Sequence, residues 1–404
     1  MNDSKAASVA SDRRRLVAVV LAVLISQVMI YPGQEDIIAV LGAPPGIRAG
    51  MWFLVAETAA FVAFGVVWGA ASDVSGRRAT LAQGGALGGA VSYLLLALAP
   101  TLGIGFRGAL LIRVAGGALT IGAFSLGITM LMDLSGGHGR NMGAAGIAIG
   151  LGAAVGAVVG GALADLSPLT PVYAGSAALA GSAALLWGVD DRAPGTEGSA
   201  GLATIVSKLP EIPGLVVPLV FGFVDRLTAG FFSLVGIFYF RDVFGLSASA
   251  AGITLALFFL PFALLQYHSG AVSDRTGRFL PIVGGSLGYG VIVISVGVAP
   301  VYAVAAGLMV VLGVCGAFMA PATMALVTDL VPQAQRGAAM GLFNVFGSLG
   351  FLTGFLVGGV LTDIYGYLPA FVAVGSLELT LAVVALPAVR RLTADSGPGV
   401  APAD

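Results

Sequence analysis

The chain has 404 residues, of which 58% are hydrophobic and 10% charged, and its mean hydropathy is +1.00. Soluble domains carry about 25% charged residues, so this composition excludes an ordinary water-soluble class and indicates a membrane-embedded one. A formal net charge of −1, two histidines and one cysteine offer no basic surface for nucleic acid, no set of zinc or iron–sulfur ligands and no internal disulfide.

Taken in chain order, the basic N-terminus, Lys5 and Arg13 to Arg15, precedes an apolar stretch with no small-residue cleavage pattern, and it reads as a retained first helix. Apolar runs of about 20 residues predict twelve spans. The first six cover roughly 16–32, 48–72, 79–99, 104–133, 141–163 and 170–188, and the second six roughly 213–240, 249–273, 280–298, 301–330, 338–362 and 367–389. Between them, 189–212 is polar and contains Gly and Pro, which predicts a linker joining an N-terminal bundle, 1–188, to a C-terminal bundle, 213–404. The Pro-, Gly- and Ala-rich tail after Arg391 is read as disordered. The 61 glycines are about twice the usual share of roughly 7% and suit close helix packing in lipid. Lys5, Arg13 to Arg15, Arg77, Arg78, Arg140, Arg192, Lys208, Arg275, Arg278, Arg336, Arg390 and Arg391 fall on one side of the spans. Arg48, Arg107 and Arg241 fall on the other. The positive-inside rule then places both termini and the linker in the cytoplasm.

A charged turn breaks the apolar pattern twice. Gly69-Ala70-Ala71-Ser72-Asp73-Val74-Ser75-Gly76-Arg77-Arg78 is followed 201 residues later by Gly270-Ala271-Val272-Ser273-Asp274-Arg275-Thr276-Gly277-Arg278-Phe279. Each reads as an apolar helix leaving the membrane, an acid and arginine at the water interface, a glycine reversal and re-entry. Further out, Asp133 and Arg140 flank the turn after the fourth span, and Asp329 and Arg336 flank the turn after the tenth.

The paired charged turns resemble the signature loops of the major facilitator superfamily, and the chain is identified as a suspected member resembling its drug–proton antiporter branch. That resemblance implies an all-α membrane protein of twelve transmembrane helices in two pseudo-symmetric six-helix bundles, the major facilitator fold. It also implies a conformational latch made of Asp73, Arg77, Asp133 and Arg140 in one half and Asp274, Arg278, Asp329 and Arg336 in the other. Carried over, Asp73 would sit near the start of the eleventh span with Arg77 near Asp133, and Asp274 would face the fifth span with Arg278 near Asp329. The competing explanation is that these charges only fix topology.

The fifth and eleventh spans carry a second repeat, Gly152, Gly156 and Gly160 matched by Gly350, Gly354 and Gly358, with Asp165 and Asp363 following. Glycines four residues apart make a smooth stripe for a close neighbour, and these helices are expected to meet across the two halves. The fifth-span run resembles the family's antiporter motif, except that Ala157 stands where a proline is usual. Generic small-residue packing explains the glycines equally well.

An ionisable side chain at the bilayer centre costs about 2.5–3.5 kcal/mol on insertion scales, so each one requires a reason. Glu57, Arg113, the pair Asp225-Arg226 and Glu378 all lie within spans. Neighbours on a helix point about 100° apart, so Asp225 and Arg226 are expected to seek separate partners. Arg113 with Gly117 is similar to the superfamily's fourth-helix motif, in which the arginine is linked to proton transfer. The alternative for Arg113 is a buried ion pair with Glu57. The proton-coupling candidates are Asp225, Glu57, Arg113 and Arg226. Glu378 is expected to hold a structural hydrogen bond or face lipid. Glu35 and Asp36 are read as a solvated outer mouth, and Gln27, Phe223, Phe231, Phe232 and Asn344 as candidate cavity wall for an amphipathic substrate.

No nucleophile–base set, metal cluster or phosphate-binding loop is evident, so neither an enzyme nor a cofactor or metal is expected. The leading function is secondary active efflux of amphipathic organic compounds coupled to protons, by a monomer in the cell membrane, with sodium as the alternative coupling ion. An uptake symporter or carrier of lipid-like molecules is the second reading. A non-transporting receptor or scaffold is the third.

Overall fold

The computed structural model describes the backbone of residues 2–135, 138–191 and 209–394, and their side chains apart from those of 2–7, 138–140, 142, 334 and 394. Most of the expected linker, 192–208, and the expected tail, 395–404, lie outside the described residues, as do the side chains of His138 and Arg140. All regular structure among the described residues is helical. The helices of the first half are α1 (Asn2–Val28), α2 (Gln34–Val40), α3 (Ile47–Ser75), α4 (Arg78–Leu98), α5 (Phe106–Asp133), α6 (His138–Leu166) and α7 (Thr170–Leu186). Those of the second are α8 (Val216–Phe231), α9 (Ile237–Phe244), α10 (Ala248–Thr276), α11 (Phe279–Gly297), α12 (Tyr302–Asp329), α13 (Arg336–Tyr365) and α14 (Tyr367–Ala394). A π-helical turn, Phe232–Gly236, joins α8 to α9 within one continuous span.

Among the described residues, ten helical stretches are long and apolar enough to cross a membrane. Two expected spans are shorter: α7 has 17 residues, and the apolar part of α1 begins only after Arg15. Burial is modest in many of these stretches, because their outward faces carry exposed valine, leucine and isoleucine such as Val66, Leu111, Leu264 and Val384. In lipid such faces need no protein cover.

Two compact units emerge, one formed by Met1–Thr196 with Gly236–Ala263 and the other by Glu197–Val235 with Leu264–Asp404. Thus α9 and the first part of α10 are packed with the helices of the first half. In the second unit, Phe221, Ile282, Val283, Met319, Leu326 and Val389 form one buried cluster. Leu215, Leu219, Val327, Leu342 and Phe343 form another.

Gly152, Gly156, Gly160, Gly350, Gly354 and Gly358 pack against helices of their own half. A Cβ on the neighbouring Gly161 would meet the Ala248 carbonyl oxygen at 2.5 Å, so α6 also meets α10 of the second half within the first unit. A Cβ on Gly152 would meet the Leu21 carbonyl oxygen at 2.9 Å, and one on Gly156 the Ile25 oxygen at 2.9 Å. One on Gly160 would press on the Met29 backbone. The stripe of α6 therefore lies on α1 and the turn after it. In the second unit a Cβ on Gly350 or Gly354 would drive into the backbone of Phe223 or Leu227, and one on Gly358 would meet the Phe231 ring at 2.7 Å. The stripe of α13 lies on α8 in the same way. Small residues at four-residue spacing let two backbones come together, and the partner is the sequence-distant helix of the same unit.

Candidate functional site

The described residues of the first unit include a fully buried ion pair. Arg113 of α5 is 2% exposed and Glu57 of α3 is 4% exposed. Gly117 explains how they meet: a Cβ there would collide with the backbone of Glu57, so the absent side chain lets α5 lie directly on α3. One turn earlier, Arg113 reaches the Glu57 carboxylate through Nη2. Its Nε donates to the Phe53 carbonyl oxygen at 3.2 Å, and the guanidinium lies 4.4 Å from the centroid of the Phe53 ring. Tyr93 of α4 donates its hydroxyl to the other Glu57 oxygen at 3.0 Å. Arg113 Nη1 has no hydrogen-bond partner among the described residues. Three helices thus converge on one buried charge pair in which one guanidinium nitrogen remains available.

The second unit carries acids on two helices. Asp225 of α8 is 6% exposed, and contrary to the expectation of separate partners its carboxylate pairs with its neighbour, Nε of Arg226, at 3.7 Å. The Arg226 side chain is long enough to curl back, and it crosses α13 over Gly347, where a Cβ would lie 3.3 Å from its Cγ. Glu378 of α14 is wholly buried and is approached by Ser286 Oγ at 2.8 Å and Thr228 Oγ1 at 3.5 Å. It does not face lipid.

The charged turns pin each unit. Gly76 takes a left-handed conformation, φ 63°, to end α3, and Gly277 does the same at φ 85° after α10. In the second unit Arg278 pairs with Asp274 at 2.5 Å and with Asp329 at 3.3 Å. In the first unit the corresponding residue is Arg78, which corrects the expectation of Arg77. Arg78 pairs with Asp133 and, at 3.3 Å, with Asp73. Arg77 is exposed and occupies the N-cap of α4, its backbone N–H bonding Ser75 Oγ at 3.3 Å. The second arginine is the first helical residue and points back across the turn. Asp191 completes this end by accepting the Ala79 amide at 2.7 Å. Arg336 is exposed and donates to the Thr328 carbonyl oxygen at 3.1 Å. His268 is exposed, with its ring edge-on to Tyr267.

Glu35 and Asp36 are not simply solvated. Arg241 of α9 grips Asp36 at 2.7 Å and lies 3.7 Å from Glu35, within the first unit. Burial pushes the Glu35 carboxyl up, and the Arg241 charge only partly offsets this. Nearby, the Asp165 carboxylate accepts the Ala248 and Ser249 amides at 3.1 and 3.2 Å, which caps α10. A carboxylate suits the positive end of a helix. Among the cavity candidates, Gln27 and Phe223 are half-buried and Asn344 is exposed. Phe231 and Phe232 are fully buried, with rings edge-on to Phe371 at 4.9 and 5.7 Å. These two phenylalanines are packing residues in this structure.

Buried charge within multi-pass apolar helices, repeated in two units with matched interfacial turns, defines an integral-membrane protein of the major facilitator fold. The sequence model of the Major Facilitator Superfamily matches residues 219–401, a little under half of the chain. It is 32% identical to the multidrug resistance protein MdtG of Serratia proteamaculans over 172 residues, 41% of this chain and 42% of that relative's length. The similarity therefore takes in less than half of the relative. A bacterial homologue of the human lysosomal transporter Spinster, in an inward-facing, unoccupied conformation, superposes with a TM-score of 0.75 at 16% identity over 98% of this chain and 99% of that one. A D-xylose–proton symporter superposes at 0.73 with 17% identity over 92% and 96%. These two share the fold.

Proposed function

We propose that the chain is a secondary active transporter that exports amphipathic organic compounds in exchange for protons by alternating access. The observation that carries this reading is the Glu57–Arg113 pair, a charged contact at 2–4% exposure on helices whose other buried side chains carry no charge. Apolar replacements of a buried ion pair are often as stable or more so, which makes its presence in a membrane span a sign of use. The partial similarity to a multidrug resistance protein supports an organic substrate and outward direction. In this proposal Glu57 and Arg113 act in the first half, 1–188, and Asp225 and Arg226 in the second, 213–404. The Arg78 and Arg278 clusters latch the cytoplasmic side as the halves rock. The protein works as a monomer in the cell membrane with both termini and the 189–212 linker in the cytoplasm.

The test is transport of the fluorescent lipophilic cation ethidium into liposomes carrying the full chain. An exchanger accumulates dye when the lumen is acid, whichever way the protein is inserted. A symporter does so when the outside is acid. Dye movement indifferent to either gradient, or gradient-driven transport unaltered by Glu57→Gln, refutes the proposal.

A further inference from the structure

Glu378 lies near the middle of the 28-residue α14 and is 0% exposed. Its position is built by a reciprocal glycine contact one turn away. A Cβ on Gly290 of α11 would meet the Gly375 carbonyl oxygen at 2.7 Å, and one on Gly375 would meet the Gly290 oxygen at the same distance. That close approach brings Ser286 of α11 against the carboxyl, while Thr228 comes from α8.

The hydrogens around this group can be counted. Thr228 Oγ1 has one proton and two oxygen neighbours, the Val224 carbonyl oxygen at 3.3 Å and Glu378 Oε1 at 3.5 Å. It can donate to one only. Ser286 donates to Glu378 Oε2 at 2.8 Å. If Glu378 were a carboxylate, it would hold a full charge at the centre of a span on one firm hydrogen bond and a contested one. Among the described residues no Lys, Arg or His lies within ion-pair distance of it. A neutral acid closes the count: Glu378 O–H donates to Thr228, Thr228 donates to Val224, and Ser286 donates to the acid's other oxygen.

The charged and titratable groups that bear on this site come from every packed neighbour. From α8 there are Asp225 and, paired with it, Arg226; Tyr289 comes from α11, with Cys315 of α12 beside it. On α13 the charged residues and the tyrosine, Arg336, Asp363 and Tyr365, sit at its two ends. Of the two cations of this set, Arg226 is engaged by Asp225 and Arg336 stands at the end of α13, and Asp225 itself disfavours a second negative charge.

We propose that Glu378 is a proton-binding site of the second unit, held as a neutral acid by Ser286 and Thr228. This deepens the proton-coupled reading by naming a store for the proton, and it rests on that reading for its use in transport.

The experiment needs no substrate. Infrared spectra of the purified full chain, in a detergent free of ester groups at neutral pH, are compared for the wild type, Glu378→Gln, Ser286→Ala and Asp225→Asn. The wild type is expected to show a protonated-carboxyl stretch that shifts in heavy water, is lost in Glu378→Gln and persists in Asp225→Asn. In Ser286→Ala it should move to higher frequency, because the acid's carbonyl loses its donor. The Ser286→Ala shift decides the matter if Glu378→Gln does not fold. Absence of the band in the wild type, its loss only in Asp225→Asn, or a band indifferent to Ser286→Ala overturns the assignment. Failure of gradient-driven dye transport would sink the coupling proposal alone and leave the protonation of Glu378 to the infrared result.

Discussion

Removing either member of the Glu57–Arg113 pair leaves the other charge in an apolar interior, which costs about 3–5 kcal/mol. The two removals differ in what else they break. Glu57→Gln leaves Arg113 its bond to the Phe53 carbonyl and its place over the Phe53 ring, 4.4 Å from the centroid, so it belongs at the lower end. Arg113→Gln forfeits both, and a desolvated cation–ring contact adds about 2 kcal/mol, so it belongs at the upper end. The double substitution leaves no uncompensated charge, and its cost should fall short of the summed single costs by about 3 kcal/mol. For a cooperative unit of 150–250 residues each kcal/mol moves the melting temperature by about 2–4 °C, so Glu57→Gln should lower it by on the order of 10 °C. The assay is a thermal melt of the four proteins in one detergent at one scan rate. Additive shifts would show that the side chains do not interact and would remove the basis of the site. A double variant that folds well but no longer couples dye movement to the proton gradient would separate the structural role of the pair from its functional one.

Gly350→Ala should lower the melting temperature by several degrees, since overpacking costs about 1–3 kcal/mol and the intruding methyl meets the Phe223 backbone, which cannot turn aside. Gly337→Ala, with open space around it, should not, and equal shifts would refute the close approach. Arg78→Ala should slow dye transport and destabilise the first unit by about 1 kcal/mol, as expected of a partly exposed ion-pair network, whereas Arg77→Ala should change little. The reverse order in matched transport and melting assays would restore Arg77 as the latch. Because burial raises the Glu35 carboxyl above its ordinary value of 4.5, its ionisation opposes folding: the favourable contribution of the neutral acid is present in acid and is lost as pH rises through the raised value. Glu35→Gln should therefore melt slightly higher than the wild type at neutral pH and match it in acid below the ordinary range. A lower melting temperature at neutral pH would mean that Arg241 outweighs burial.

The features most legible in the sequence were those set by local pattern. Apolar runs marked the spans, and Gly76 and Gly277 marked the reversals because a left-handed turn favours glycine whatever surrounds it. Arg113 and Gly117 were legible as a unit through their resemblance to the superfamily's fourth-helix motif, while the close approach that Gly117 allows to α3 emerged from the packing. What pattern could not provide was helix phase across a turn. Two adjacent arginines differ by about 100° in direction, so 77 and 78 could be told apart only once the start of α4 was known. Similarly, glycine stripes announce a close neighbour without naming it, and α1 and α8 emerged only from the packing. The Arg241 grip on Asp36 joins two short helices, α9 and α2, more than two hundred positions apart. Ser286 and Thr228 gave no sign of serving Glu378, because a hydroxyl in a membrane helix most often bonds its own backbone.

The boundaries between the two compact units cut through helices as well as the connecting stretch. One falls between Val235 and Gly236, inside the π-helical turn, and another between Ala263 and Leu264, two residues past Pro261. A π turn and a proline both interrupt the regular ladder of backbone bonds, so these are the places where each helix resists bending least. The stretch between these two interruptions, the end of the seventh span and the start of the eighth, is thus borrowed by the first unit from the second half of the sequence.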